Sequence, residues 1–264
     1  MSMSNEQKNY LRKIKKNKLL IIGVQFILVL FFLLVWQICS DKKIINPFIF
    51  SSPKRIIETT ISLYQSYDLV AHILTTLYET VLAFGLGIGL GFVIAILLYE
   101  FKVLAKIVDP FLTMLNSLPK VALGPIIIIW AGANMRAIIV MALLINLIIS
   151  IITIYNGFLN TDAYKIKLLQ SFGASKLQIL TQLVIPASYS TIISSLKINI
   201  SMSLIGVIMG EFLVSKKGIG YLIIYGTQVF NLHIVMSGIV ILILISFVLY
   251  QLIDKLEKKL LKEK

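Results

Sequence analysis

The side chains able to do chemistry in this sequence are few, and they lie inside long apolar runs. Lys120 and Lys197 each interrupt a hydrophobic stretch, Glu211 stands near the far end of the stretch that holds Lys197, and Glu79 stands near the end of another. Asn116, Ser117 and Pro119 stand beside Lys120, while Ser194, Ser195, Asn199, Ser201 and Ser203 surround Lys197. Ionisable groups in apolar surroundings are usually paired or functional, and hydroxyl-rich helices either pack tightly or wall a polar cavity. A central Lys costs about 2.5–3.5 kcal/mol on insertion scales and each Leu or Ile returns about 0.3–0.6 kcal/mol. Ile126–Ile129 can therefore carry Lys120. Two readings stand for these residues: the wall of a polar pathway, or snorkelling and ion-paired structure. Asn146 reads as a helix–helix hydrogen bond.

Bond chemistry finds no support. Neither a G-x-x-x-x-G-K-[ST] phosphate loop nor an H-E-x-x-H zinc motif occurs. His72 and His233 stand apart, and Cys39 is the only cysteine, which excludes a disulfide framework and a cysteine metal cluster. We expect no catalytic residue and no metal. Gly85, Gly87, Gly89 and Gly91 form two overlapping G-x-x-x-G pairs without a strand–turn–helix context. They read as a helix-packing face rather than a nucleotide loop.

The elements that position these residues are apolar helices. The 264 residues are 58% hydrophobic and only 14% charged, against about 25% charged in soluble domains. The net charge of +13 comes from lysines at the ends and connections of the apolar runs, not from a patch interleaved with aromatics. That argues for membrane topology and against nucleic acid. A basic segment over 1–18 precedes a first span over 19–38, whose Trp36-Gln37-Ile38 is no small-residue cleavage site. Residues 39–72 form an external segment, with Ile57, Ile61 and Tyr64 spaced for an interfacial helix. Further spans are expected over 73–99, 105–131, 137–155, 187–213 and 234–253, followed by a basic tail over 255–264. Pro119 and Pro125 should interrupt the third span, and Glu79 should reach the outer interface. With the N-terminus inside, 16 basic residues fall on the cytoplasmic side and seven outside, which favours this orientation.

One connection, within 158–186, is not a typical membrane loop. Ile166, Leu169 and Gly173 follow helical spacing, with Lys165 and Lys167 on other faces. Gly173 can take positive φ and close that helix. Ser175 and Gln178 suit a capping box that starts a second helix. Leu177, Leu180 and Val184 give the second helix an apolar stripe, and Pro186 should stop it. Such an elbow is either a docking surface or a pair of helices packed on the bundle end.

The elbow resembles the cytoplasmic loop of ATP-binding-cassette importer permeases, whose signature runs E-A-A, three residues, Gly, nine residues, I-x-L-P. Gly173 is followed by nine residues and then Leu183-Val184-Ile185-Pro186, but Lys167-Leu168-Leu169 replaces the Glu-Ala-Ala. Three other stretches resemble the sulfonate, taurine and nitrate permeases of that family. They are Ser52-Pro53 with Ile56-Ile57, Leu118–Pro125 with Trp130-Ala131-Gly132, and Glu211 with Gly218-Ile219-Gly220-Tyr221. The resemblance covers roughly residues 52–222. It implies an all-α integral membrane protein of about six transmembrane helices, with a MetI-like permease core and a cytoplasmic coupling helix pair. It implies transport in the plasma (inner) membrane, of a small polar or anionic solute such as a sulfonate, taurine, nitrate or a thiamine-precursor pyrimidine. Implied partners are a separate ATPase subunit holding ATP and Mg2+, a second permease copy, an external substrate-binding protein and lipid. Carried onto this chain, Lys167, Leu168, Leu169, Gly173, Ala174, Ser175 and Pro186 would couple to the ATPase. Asn116, Ser117, Pro119, Lys120, Lys197, Asn199, Ser203 and Glu211 would line the path. Two other classes stay open: a secondary transporter using Lys120, Lys197 or Glu211 in ion coupling, for which internal repeats are not evident, and a non-transporting scaffold.

Overall fold

The computed structural model describes residues 5–66 and 68–262, so residues 1–4 of the basic N-terminal segment and 263–264 of the tail lie outside the described residues. All regular structure among the described residues is helical. Helix α1 (Asn5–Asp41) carries an apolar stretch, Leu19–Asp41, of which only Ser40 is buried within this chain. Its C-terminal end is tied down: Ser40 Oγ donates to the Ser51 carbonyl (3.1 Å), and Lys54 N donates to Gln37 Oε1 (3.1 Å). After the single turn α2 (Pro47–Phe50), α3 (Pro53–Ser66) turns Ile56 and Leu63 inward and leaves Ile57, Ile61 and Tyr64 exposed.

Three long helices form the centre: α4 (Leu69–Glu100), α7 (Met135–Leu159) and α10 (Ile185–Val214), with α7 packed most extensively on α10 and then on α4. At 1.5 Å per residue each exceeds the roughly 30 Å of a hydrocarbon core. The glycines of α4 explain its approach to α7, but only in part as expected. A Cβ on Gly87 would overlap the Asn146 side chain, and one on Gly91 would meet Ser150, whereas Gly85 and Gly89 have nothing within 4 Å. Residues two apart on a helix point about 200° apart. One G-x-x-x-G pair therefore makes the seam, and the other faces away from the chain.

The expected third span is not straight. Helix α5 (Lys102–Ser117) ends before Pro119, a 3-10 turn spans Lys120–Leu123, and α6 (Gly124–Ala131) leaves at 92° to α5. Neither piece alone reaches across ~30 Å. Pro125 occupies the first turn of α6, where a missing N–H costs nothing, so it starts a helix rather than breaking one. Among the described residues, five helices are long and apolar enough to cross a bilayer, and the bent pair brings the number to six if it counts as one crossing.

Beyond the expected elements, a short helix α11 (Ile219–Gln228) lies between α10 and the last helix, α12 (Leu232–Lys262), and packs on both. Leu204, Ile208, Ile219, Leu222, Ile223 and Ile241 form the core of that corner.

Candidate functional site

The elbow is built by local hydrogen bonding. Asp162 Oδ1 accepts from Tyr164 N (2.8 Å) and starts α8 (Ala163–Ser171). Gly173 closes it at φ +79°, a left-handed conformation that a side chain would strain. The N–H groups of Gly173 and Ala174 return to the carbonyls of Gln170 and Leu169, both at 3.0 Å. The capping box then forms: Ser175 N donates to Gln178 Oε1 (2.7 Å), and Gln178 N donates to Ser175 Oγ (3.3 Å).

One expectation fails here, and the failure matters for function. Pro186 does not stop the second limb. Helix α9 (Lys176–Ile179) passes through a π turn, Leu180–Val184, straight into α10, with Pro186 in the first turn of α10. The wider π turn just before the proline is where the ladder adapts to its missing donor. The second limb of the elbow and the fifth span are thus one rod, Lys176–Val214.

The elbow has an inner and an outer side. Ile179, Leu180 and Val184 are buried with Ala95, Ile154 and Phe158, and Ile166, Leu169 and Ala174 pack on that cluster. Phe158 meets Phe92 and Tyr99 edge-on at 6.1 and 5.8 Å between centroids. On the outer side Tyr164 (83% exposed), Leu168 (54%) and Phe172 (77%) stand open. Leu177, expected in the inward stripe, joins them; the inward positions of this limb are Ile179, Leu180 and Val184. Lys167, Gly173, Ser175 and Pro186 are exposed too. Beside α8, a groove of about 990 Å³ opens toward the junction of α4 and α5, lined by Tyr99–Leu104, Ile166, Gln170 and Lys176.

The residues expected along a pathway separate into four places. Asn116, Ser117, Pro119 and Lys120 stay together at the 92° bend on an open face, where Lys120 Nζ donates to the Asn116 carbonyl (2.8 Å) at the end of α5. Asn199 and Ser203 do not line a path within this chain; they are fully buried. Asn146 Nδ2 donates to Ser203 Oγ (2.5 Å) and to the Ala83 carbonyl (2.9 Å), and Ser150 Oγ donates to Asn199 Oδ1 (2.9 Å). These polar groups stitch α4, α7 and α10 together, as Asn146 alone was expected to do. Lys197 is likewise engaged: it pairs with Asp254 (2.6 Å) and Glu257 (2.5 Å) on α12 and lies 5.5 Å over the Tyr250 ring. The partners went unread because both acids sit close to the lysine-rich tail.

Glu211, the eighth of these, sits at the end away from the elbow, 1% exposed. Its Oε1 accepts from Thr76 Oγ1 and its Oε2 from Gly220 N, both at 2.6 Å. Ile219 N donates to Thr76 Oγ1 (2.9 Å), and Gly218 N donates to His72 Nδ1 (3.0 Å). Glu79 does not reach the interface as expected; it is 3% exposed, and its buried Oε2 has no hydrogen-bond partner among the described residues. A Cβ on Gly218 or Gly220 would collide with the Glu211 carboxyl group, so the G-x-G spacing leaves room for it. Thr76 was the missed member; His72 and Glu79, named without this role, stand four residues before it and three after it on one face of α4, and that spacing was the available signal.

Residues 87–262 match the family described as "Binding-protein-dependent transport system inner membrane component". A probable ABC transporter permease protein of Haemophilus influenzae is 30% identical over 237 residues, covering 89% of this chain and 93% of that protein. A putative aliphatic sulfonates transport permease protein of Bacillus subtilis is 27% identical, covering 86% and 83%. The fold is shared with a chain of the inward-facing MetNI methionine ABC transporter, at TM-score 0.65 and 19% identity, over 74% of this chain and 96% of that one.

Proposed function

The chain belongs to the family of binding-protein-dependent transport system inner membrane components, a multi-pass permease of the ATP-binding-cassette importers, and from that premise we propose that its elbow is the handle a separate ATPase subunit moves. One observation carries the reading. The exposed limb α8 turns at Gly173, where the N–H groups of Gly173 and Ala174 bond back to Gln170 and Leu169, into the rod running from α9 into α10, so the elbow and a core helix are continuous. ATP and Mg2+ belong to the ATPase subunit, and this chain performs no bond chemistry.

The elbow end is cytoplasmic, supported by the lysines that gather there, and both termini lie on the same side. A second copy faces the first across the open side at the α5–α6 bend, and the solute passes between them along Asn116, Ser117 and Lys120. An external binding protein delivers the solute at the opposite end. A lysine beside the path suits a small polar or anionic cargo, in keeping with the sulfonate permease among the relatives. Ion coupling through Lys197 or Glu211 loses support, because the first is held in ion pairs and the second is enclosed. Closure of two ATPase subunits would swing the elbows and reorient the rods, a rigid-body alternating-access change.

Crosslinking tests the handle. A cysteine placed at Ser175 in the assembled transporter should bond to a nucleotide-hydrolysing subunit; crosslinks only to lipid or to the chain's own helices would refute it.

A further inference from the structure

The elbow's outer face also states what its partner must look like. On α8, at about 100° per residue, Tyr164, Leu168 and the C-cap residue Phe172 make one apolar stripe. Lys165 lies about 60° from the midline of that stripe on one side, and Lys167 about 100° on the other. Lys176, at the start of α9, and Lys102, at the neighbouring groove, extend the same charge. Lys165, Lys167 and Lys176 are exposed, and none of them forms an ion pair among the described residues. The elbow's one acid, Asp162, is spent as the N-cap of α8.

Anionic lipid is the other chemistry that answers such a face, but the geometry argues against it. Ile166 and Leu169, on the opposite side of α8, pack against the ends of α4, α7 and α10. The helix therefore lies beneath the bundle, and its open stripe points away from the bilayer.

Resting on the coupling role assigned above, we infer that this elbow seats in a cleft of the ATPase subunit with an apolar floor and carboxylates on its rims, which pair with Lys165, Lys167 and Lys176. The apolar stripe supplies buried area, and the lysines fix register and orientation, as charged rims do at protein interfaces. The seat is a charge-specified lock: an ATPase with a neutral or basic rim would meet three unanswered lysines, and like-charge contact excludes the wrong partner.

The experiment uses the full chain, affinity-tagged and solubilised from its own membranes with whatever subunits stay bound. A carbodiimide, which joins amines to carboxylates in contact without a spacer, is the probe. Peptides joining Lys165, Lys167 or Lys176 to Asp or Glu of the ATPase subunit are expected. Lys165→Gln/Lys167→Gln should lower retention of that subunit about three- to tenfold at low salt, and Lys165→Glu/Lys167→Glu further, since exposed or rim pairs contribute modestly and sign reversal adds repulsion. Raising salt from about 0.05 to 0.5 M should weaken the wild type toward the Gln variant, as screening requires. An ATPase subunit retained equally by all variants, with no lysine–carboxylate peptides, overturns the acidic rim and leaves the coupling role standing. Enrichment of anionic phospholipid on the lysines would overturn it in favour of the membrane. Absence of any nucleotide-hydrolysing subunit from the wild-type preparation would refute the coupling role itself.

Discussion

Replacing Gly87 with Ala tests whether α4 and α7 meet as described. The added Cβ falls inside the present volume of the Asn146 side chain, which is fully buried and donates to the Ala83 carbonyl and Ser203 Oγ. Two things follow: overpacking, about 1–3 kcal/mol, and displacement of two hydrogen bonds that average about 0.6 kcal/mol each inside membranes. Together they give a loss of about 2–4 kcal/mol. Gly85→Ala is the control: that position has nothing within 4 Å, and Ala gains up to about 1 kcal/mol in helix propensity. Thermal unfolding of the detergent-solubilised protein should show a markedly lower midpoint for Gly87→Ala and an unchanged or raised one for Gly85→Ala. Asn146→Ala added to Gly87→Ala should recover part of the loss, because the two share one volume and cannot be additive. Equal damage from the two glycine variants, or no recovery in the double variant, would refute the seam.

Lys197→Met should lower thermal stability by leaving Asp254 and Glu257 facing each other on α12. Adding Asp254→Asn and Glu257→Gln to Lys197→Met should restore it with transport intact; transport lost despite restored stability would return Lys197 to the pathway. Glu211→Gln loses an acceptor needed by Thr76 or Gly220 and should cost about 1–3 kcal/mol in the same unfolding assay. Lys120→Met should reduce uptake without reducing assembly with the ATPase subunit, measured by transport and co-purification on one preparation; unchanged uptake would remove Lys120 from the path.

Much of this architecture was legible from composition and spacing, and the parts that were not share a cause. Apolar runs announced the spans because a bilayer needs about 20 residues per crossing. The capping box at Ser175 and Gln178 and the turn at Gly173 were legible because they are satisfied within four residues. Pro186 and Pro125 misled because a proline says only where an N–H is missing; whether a helix stops or begins there depends on the preceding turn. Asn199, Ser203 and Lys197 looked like path lining because polarity in a membrane helix carries no direction. Their partners, Ser150, Asn146, Asp254 and Glu257, lie on other helices, and only packing shows which face meets which. Glu79 was misplaced for the same reason: it is 3% exposed because α7 and α10, far along the chain, pack on α4.

Coupling through the elbow requires it to act as a stiff handle, and a flexible insertion between Gly173 and Ala174 tests that most directly. It leaves α8 free to bind its partner while cutting it from the Lys176–Val214 rod. In reconstituted vesicles the variant should still assemble and hydrolyse ATP, with solute uptake falling to background. Uptake at the wild-type rate, with hydrolysis still tied to it, would contradict the account.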